Sequence, residues 1–147
     1  MRLLLSFLLL GIFSTPIYAD SDDSGSSYNS GDWRIAKAAK LIKKERYEKA
    51  MKQLRKAVKK DKQNADAWNL LGFAARKSGD LETSADAYSK ALALDPAHKG
   101  ALEYQAELLI TQGNIEQAKS NLAKLVELCP NGCDERSKLE QALAKLQ

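Results

Sequence analysis

The residues whose types could do chemistry beyond packing are two cysteines and one histidine. Cys129 and Cys133 lie in the segment LCPNGCDE, and His98 is far from them in the chain. A cysteine pair can form a disulfide, exchange thiols or bind a soft metal ion. The spacing is neither the C-x-x-C of thiol oxidoreductases nor the C-x-x-C-H of haem attachment. Two sulfur ligands also cannot complete a zinc site, which needs four ligands.

The first nineteen residues predict the compartment in which these cysteines lie. Arg2 precedes an apolar core of eleven residues, LLLSFLLLGIF, and the small residue Ala19 ends the segment. This order is typical of a secretory signal peptide, residues 1–19. An uncleaved membrane anchor is the alternative, although a spanning helix needs about 20 apolar residues. We expect a mature protein that begins at Asp20, lies in the periplasm or is secreted, and has no integral membrane segment after cleavage.

Export favours a disulfide over the other uses of the cysteine pair. Paired cysteines usually bond in oxidising compartments. Pro130 and Gly132 break the helix between the two cysteines, so the chain can curl and bring the sulfurs into bonding distance. Free or intermolecular thiols remain an alternative, and so does a Cu(I) ion held by two thiolates. We predict a Cys129–Cys133 disulfide and no metal site.

The rest of the sequence offers no catalytic constellation. We expect His98 to be an exposed loop histidine, and the carboxylates fall mostly on solvated helix faces. The glycines are isolated, so no phosphate-binding loop is present. The chain is therefore predicted to be non-enzymatic and to use no cofactor.

Composition divides the remaining chain into two parts. Residues 20–31, DSDDSGSSYNSG, are rich in Ser, Asp and Gly, and they are predicted to form a flexible acidic linker. In residues 32–147, Ala, Leu, Lys and Glu dominate, and apolar residues recur at helical spacing. One such stripe consists of Tyr47, Ala50, Met51, Leu54, Ala57 and Val58. The pattern predicts an all-α domain.

A repeat of 34 residues organises this helical region. Residues 31–64, 65–98 and 99–132 align without a gap, and we call them the first, second and third units. Equivalent positions carry similar side chains: Ala38, Gly72 and Ala106; Ala50, Ser84 and Ala118; Tyr47, Leu81 and Ile115; Leu54, Tyr88 and Leu122; and the prolines Pro96 and Pro130. A period of this length with two helices per unit predicts stacked helical hairpins.

The second unit resembles the tetratricopeptide repeat. The resemblance is carried by the segment WNLLGFAARKSGDLETSADAYSKALALDP, through Trp68, Leu71, Gly72, Gly79, Asp80, Tyr88, Ala91 and Pro96. Gly72 and Ser84 are small where the two helices of the unit are expected to cross closely. The third unit matches well, whereas the first has Glu45 and Arg46 in place of the Gly-Asp turn. The resemblance implies a right-handed superhelix of three hairpins.

Helix caps and a terminal helix complete this expectation. Asp80 and Asn114 are predicted to cap the second helices of their units. A stack of hairpins leaves its last apolar face bare, so residues 134–146 are predicted to form a capping helix with Asp134 as its N-cap. Seven helices then form a short superhelix with one concave face.

The positive charge is concentrated at one end of the chain. Residues 33–64 contain thirteen Lys or Arg and three acids, a balance of +10. The second unit has three basic and five acidic residues, and the third has three and four. Such a basic end could bind an acidic protein, the chain's own linker or an anionic envelope or membrane surface. Nucleic acid is not an expected partner outside the cytoplasm.

The resemblance also implies where a protein or peptide partner would bind. In tetratricopeptide proteins it lies along the concave face made by the first helix of each unit. Here that concave groove comprises Ile35, Ala39, Ile42, Lys43, Asn69, Phe73, Arg76, Lys77, Glu103, Glu107, Ile110 and Thr111. Ile35 and Ala39 replace the Lys-Asn pair with which chaperone-tail-binding members clamp a terminal carboxylate, so that activity is not expected. Phe73 is expected to be the apolar anchor of the groove.

These observations predict an exported, non-enzymatic adaptor that binds a partner segment in its groove, in cell-envelope assembly or maintenance. Two alternatives belong to other classes. One is a binder of envelope or membrane surfaces that acts through residues 33–64, and the other is a copper carrier that depends on the cysteines.

Overall fold

The computed structural model describes residues 32–146, which form seven α-helices and no strand. The helices are α1 (Trp33–Lys43), α2 (Tyr47–Lys60), α3 (Ala65–Ser78), α4 (Leu81–Leu94), α5 (Lys99–Thr111), α6 (Ile115–Leu128) and α7 (Asp134–Ala144). The prediction of an all-α fold is confirmed. The predicted signal peptide and linker lie outside the described residues.

The first six helices form three hairpins that stack into one array. Helices α1 and α2, α3 and α4, and α5 and α6 pack in pairs, while α1, α3 and α5 also contact one another in sequence. Helix α7 packs on α5 and α6, where its Leu139 is fully buried. One hydrophobic cluster joins the first two hairpins and a second joins the last one to α7. The capping helix therefore covers the apolar end of the stack, as repeat architectures require.

The turn inside each hairpin shows the 34-residue register directly. Gly79 and Gly113 adopt left-handed backbone conformations, with φ of 87° and 78°, and Glu45 does the same with φ of 54°. Glycine adopts this region at little cost, whereas a residue with a Cβ is strained there. Glu45 is held by its own N–H, which donates to the Ile42 carbonyl at 2.8 Å. The first unit thus has the same turn as the other two units without their glycine.

Of the three predicted helix caps, only one makes a capping hydrogen bond. Asp80 caps α4, because its side chain accepts a hydrogen bond of 3.1 Å from the Thr83 N–H. Asn114 stands at the N-cap of α6 but its side chain makes no capping bond. The prediction for α7 is wrong: its N-cap is Cys133, and Asp134 is the first helical residue. Asp134 still lies in the first turn, where a carboxylate favours the positive end of the helix dipole.

Gly72 lies at the closest approach of two helices. The Ser84 hydroxyl donates to the Gly72 carbonyl at 2.9 Å, and Tyr88, also on α4, is fully buried beside it. A Cβ built on Gly72 would lie 2.6 Å from two carbon atoms of the Tyr88 ring. That distance is far below a normal carbon–carbon contact. The hairpin can therefore close only because this position has no side chain.

His98 is not the exposed loop histidine that the sequence suggested. It is the N-cap of α5, where its Nδ1 accepts a hydrogen bond of 3.1 Å from the Ala101 N–H. Its Nε2 therefore carries the proton and lies 3.0 Å from a carboxylate oxygen of Asp66, with 14% of the side chain exposed. Because Asp66 lies in the first turn of α3, this bond ties the start of α5 to the start of α3. The histidine has a structural role that a helix-cap preference for Asn, Asp or Ser did not predict.

Candidate functional site

The residues predicted to line the concave groove lie on α1, α3 and α5, and they differ widely in exposure. Lys43, Lys77 and Thr111 are exposed. Partly buried are Ala39, Ile42, Phe73, Arg76, Glu107 and Ile110. Buried are Ile35, Asn69 and Glu103, of which Ile35 also belongs to the hydrophobic cluster of the first two hairpins. The predicted residues therefore lie on adjacent helices. Only the exposed and the partly buried ones are accessible to a partner.

Phe73 is part of an aromatic cluster rather than a lone anchor. Its ring centroid lies 4.9 Å from that of Tyr104 on α5 and 6.5 Å from that of Tyr47 on α2. Tyr104 in turn lies 6.5 Å from the buried Tyr88. Such separations are typical of favourable tilted and edge-to-face aromatic pairs. Phe73 lies on α3 and contacts rings on α2 and α5, so it also supports the packing of three helices.

Tyr47 and Tyr104 are site residues that the sequence argument missed. The prediction placed four positions of each first helix in the groove, and Tyr104 follows one of them, Glu103, by one residue. Tyr47 was assigned to the core stripe of α2, of which it is the first residue. The sequence did contain a signal for Tyr104, because it is the only aromatic side chain of α5.

Arg76 connects the aromatic cluster to an acidic residue of α5. Its guanidinium forms an ion pair with Glu107 on α5, and only 19% of the Arg76 side chain is exposed. The same group lies 5.8 Å from the Phe73 ring centroid and 6.0 Å from that of Tyr104, within cation–π range. The Arg76 Nε is buried without a hydrogen-bond partner in the described part of the chain. Arg76 and Glu107, both predicted to lie in the groove, are bonded to each other across two units.

Glu103 is a buried acid in the groove, with 2% of its surface exposed. Burial raises its pKa from 4.5 to about 7; the neighbouring carboxylates of Glu107 and Glu135 add to this, whereas Lys138 and Arg76 oppose it. Glu135 and Lys138 belong to α7, so the capping helix also contributes charge to the groove. This contribution of α7 was not predicted, because the resemblance describes the groove from the first helices of the units.

The raised pKa of Glu103 predicts how stability depends on pH. The folded chain keeps Glu103 protonated to a higher pH than the unfolded chain does, so the free energy of unfolding should fall as pH rises from 4.5 to about 7. Glu103→Gln should remove this component, on the order of 2 kcal/mol. Urea unfolding at about pH 5 and about pH 8 measures the difference. Glu116→Gln, at a side chain that is 87% exposed, is the control. Equal pH dependence in both variants would contradict the assignment.

The cysteines lie away from this groove, between α6 and α7. Their Cα atoms lie 5.8 Å apart, a distance that a disulfide spans, and the intervening Gly132 has φ of 94°. Arg136 of α7 donates to the Cys129 carbonyl at 3.2 Å, which fastens the same turn. Among residues 32–146, no three Cys, His, Asp or Glu side chains group as ligands for one metal ion. None of the seven helices has the length and apolar character needed to cross a bilayer.

Comparison with known proteins decides the family. The family model of the tetratricopeptide repeat matches residues 35–99 and 74–132, which together make up more than half of the chain. The chain belongs to the tetratricopeptide repeat family. Membership indicates a module for protein–protein interaction.

The similar proteins differ in how far the likeness extends. Protein FlbA of Caulobacter vibrioides is 39% identical over 64 residues, which cover 44% of this chain and only 11% of FlbA. MamA from Desulfovibrio magneticus RS-1 is 26% identical with a TM-score of 0.63, over 67% of this chain and 55% of the MamA chain. The second TPR domain of human RPAP3, solved with the HSP70 peptide SGPTIEEVD, is 18% identical with a TM-score of 0.68, over 76% of this chain and 92% of that domain. The last likeness supports the fold alone.

Proposed function

We propose that this chain is an exported, non-enzymatic adaptor that holds a segment of a partner protein in its concave groove, in the assembly or maintenance of the cell envelope. The observation that carries the proposal is the partly exposed aromatic pair of Phe73 and Tyr104 on neighbouring inner helices. Aromatic side chains at the centre of an interface supply much of its binding energy. Export rests on the signal-like residues 1–19.

The charges around the aromatic pair favour a particular kind of partner segment. The exposed Lys77 lies on one side, with its Nζ 6.0 Å from the Tyr47 ring centroid, whereas on the other side Glu103 is buried and Glu107 is paired with Arg76. A segment with an apolar side chain next to an acidic residue would match this order. The Arg76–Glu107 pair leaves less free charge in the middle, so the partner's apolar residue belongs there.

A crosslinking experiment in the native cell tests this function. A photoreactive amino acid at Lys77, in the groove, should capture one protein in the cell envelope. The same amino acid at Lys124, an exposed lysine of α6, is the matched control and should not capture it. Capture of the same protein from both positions, or from Lys124 alone, would contradict binding in the groove.

A second candidate function is binding to an anionic envelope surface through residues 33–64, and the ion pairs of this region favour it. Of the thirteen basic residues there, Arg34, Arg55 and Lys60 are the ones that lie within 4.0 Å of a carboxylate in the described chain. The unpaired remainder creates a net positive field. Binding of this kind should weaken steeply as ionic strength rises, whereas groove binding should not.

Export and the cysteine pair make a joint prediction. Protein purified from its native compartment without reduction should begin at Asp20 and should carry both sulfurs of Cys129 and Cys133 in one intramolecular bond. Mass spectrometry with and without thiol alkylation measures both properties at once. A retained N-terminal segment would contradict cleavage. Free thiols would contradict the disulfide, and copper bound to them would favour the copper carrier.

A further inference from the structure

A cavity of about 530 Å³ opens on the outer side of the helix stack, away from the concave groove. It is lined by Arg55, Val58, Lys59, Lys62, Trp68, Lys90, Ala93 and Leu94. These residues come from α2, the loop after it, α3 and α4, so the cavity spans the joint between the first and second units. Its volume falls within the range of about 300–1,000 Å³ that is usual for small-molecule sites.

The floor of the cavity is apolar, and its one polar atom is already bonded. The Trp68 Nε1 donates to the Lys62 carbonyl at 2.9 Å, so the indole offers only its apolar surface. Val58 is buried and Leu94 is partly buried beside it. An alkyl chain placed here would leave water without leaving any polar group of the protein unpaired.

The rim of the cavity carries four basic side chains and no carboxylate. Lys90 lies with its Nζ 4.6 Å from the Trp68 ring centroid and pairs with Asp86 at 2.7 Å. Arg55 pairs with Asp80 at 3.4 Å, and both of these ion pairs are solvent-exposed and therefore weak. Lys59 and Lys62 have no ion pair within residues 32–146. The rim is thus complementary to an anion.

The lining argues against an extended polypeptide as the occupant. A bound peptide chain exposes N–H and C=O groups that need partners. The lining contains no amide, hydroxyl or carboxylate side chain, so none of its side chains can accept a hydrogen bond from a peptide N–H. A ligand with an apolar body and a single anionic head satisfies the cavity better.

We propose that this cavity binds a free long-chain carboxylate, with its alkyl tail on Trp68 and Leu94 and its carboxylate between Lys59 and Lys62. The site is separate from the groove, so a ligand here and a partner there can be bound together. Because α2 and α4 both line the cavity, the ligand would also hold the first two units against each other.

Tryptophan fluorescence tests this proposal, since the chain has two tryptophans and Trp33 is 60% exposed. With Trp33→Phe, Trp68 is the remaining tryptophan and reports on the cavity directly. Decanoate below its micelle concentration should change the emission saturably, whereas decyltrimethylammonium, with the same tail and a positive head, should not. Lys59→Gln combined with Lys62→Gln should weaken decanoate binding about tenfold.

A carboxylate introduced at the rim provides the sharpest comparison. Ala93 is exposed, so Ala93→Glu should fold normally and weaken decanoate binding about tenfold or more. Ala123→Glu, at an exposed alanine of α6, should leave binding unchanged. The proposal is overturned if the cationic amphiphile binds equally well or if Ala93→Glu has no effect. Displacement of decanoate by lower concentrations of an acidic peptide would likewise overturn it and assign the cavity to a peptide.

Discussion

Gly72→Leu is expected to lower the free energy of unfolding by about 1–3 kcal/mol or more, because it overpacks the crossing of α3 and α4. The reason is geometric. Even a Cβ at this position would lie 2.6 Å from the Tyr88 ring, and Tyr88 is fully buried and cannot move into solvent. Denaturant unfolding, followed by circular dichroism, measures the loss as a lower midpoint at unchanged slope.

The control for this prediction is a leucine on a helix surface. Ala123→Leu adds similar bulk at an exposed position of α6 and should change stability by no more than about 0.5 kcal/mol. A double-mutant cycle then identifies the contact: Tyr88→Leu should reduce the additional cost of Gly72→Ala, because the ring that clashes is gone. An unchanged midpoint for Gly72→Leu would contradict the close helix crossing.

The hairpin core was predictable because it depends on contacts that recur with the period of the sequence. Gly72, Ser84 and Tyr88 occupy repeated positions, and each meets its partner inside one hairpin. The same holds for the turn at Glu45, whose left-handed conformation follows from its 34-residue distance to Gly79. Periodicity indicates such contacts even where one unit departs from the family pattern.

Contacts between hairpins were not predictable in the same way. The pairs His98–Asp66 and Arg76–Glu107 join side chains 32 and 31 residues apart; the first links the N-cap of α5 to α3, and the second links α3 to α5. Whether such side chains meet depends on the packing angle between hairpins and on side-chain rotamers, which hydrophobic periodicity does not encode. The same reason explains why Tyr104 was missed as a neighbour of Phe73.

Phe73→Ala is expected to weaken partner binding about thirtyfold, which corresponds to about 2 kcal/mol. Phe73 contributes the central ring of the exposed part of the aromatic cluster, between Tyr47 and Tyr104. Because these contacts also support the fold, truncation will lower stability too. Leu122→Ala, at a partly buried position of α6 outside the groove, controls for this loss. It should destabilise the chain without affecting partner binding.

The most direct test of the groove compares Phe73→Ala with a variant of the basic surface, using the partner captured through Lys77. The second variant replaces Lys43, Lys49, Lys52 and Lys56 with glutamine and should mainly slow association. Titration calorimetry at low and at physiological salt gives both affinities. We expect Phe73→Ala to weaken binding about thirtyfold, the lysine variant to retain most of the affinity, and salt to have little effect. If the lysine variant abolishes binding while Phe73→Ala binds like the unaltered chain, the groove is not the partner site and the basic surface is.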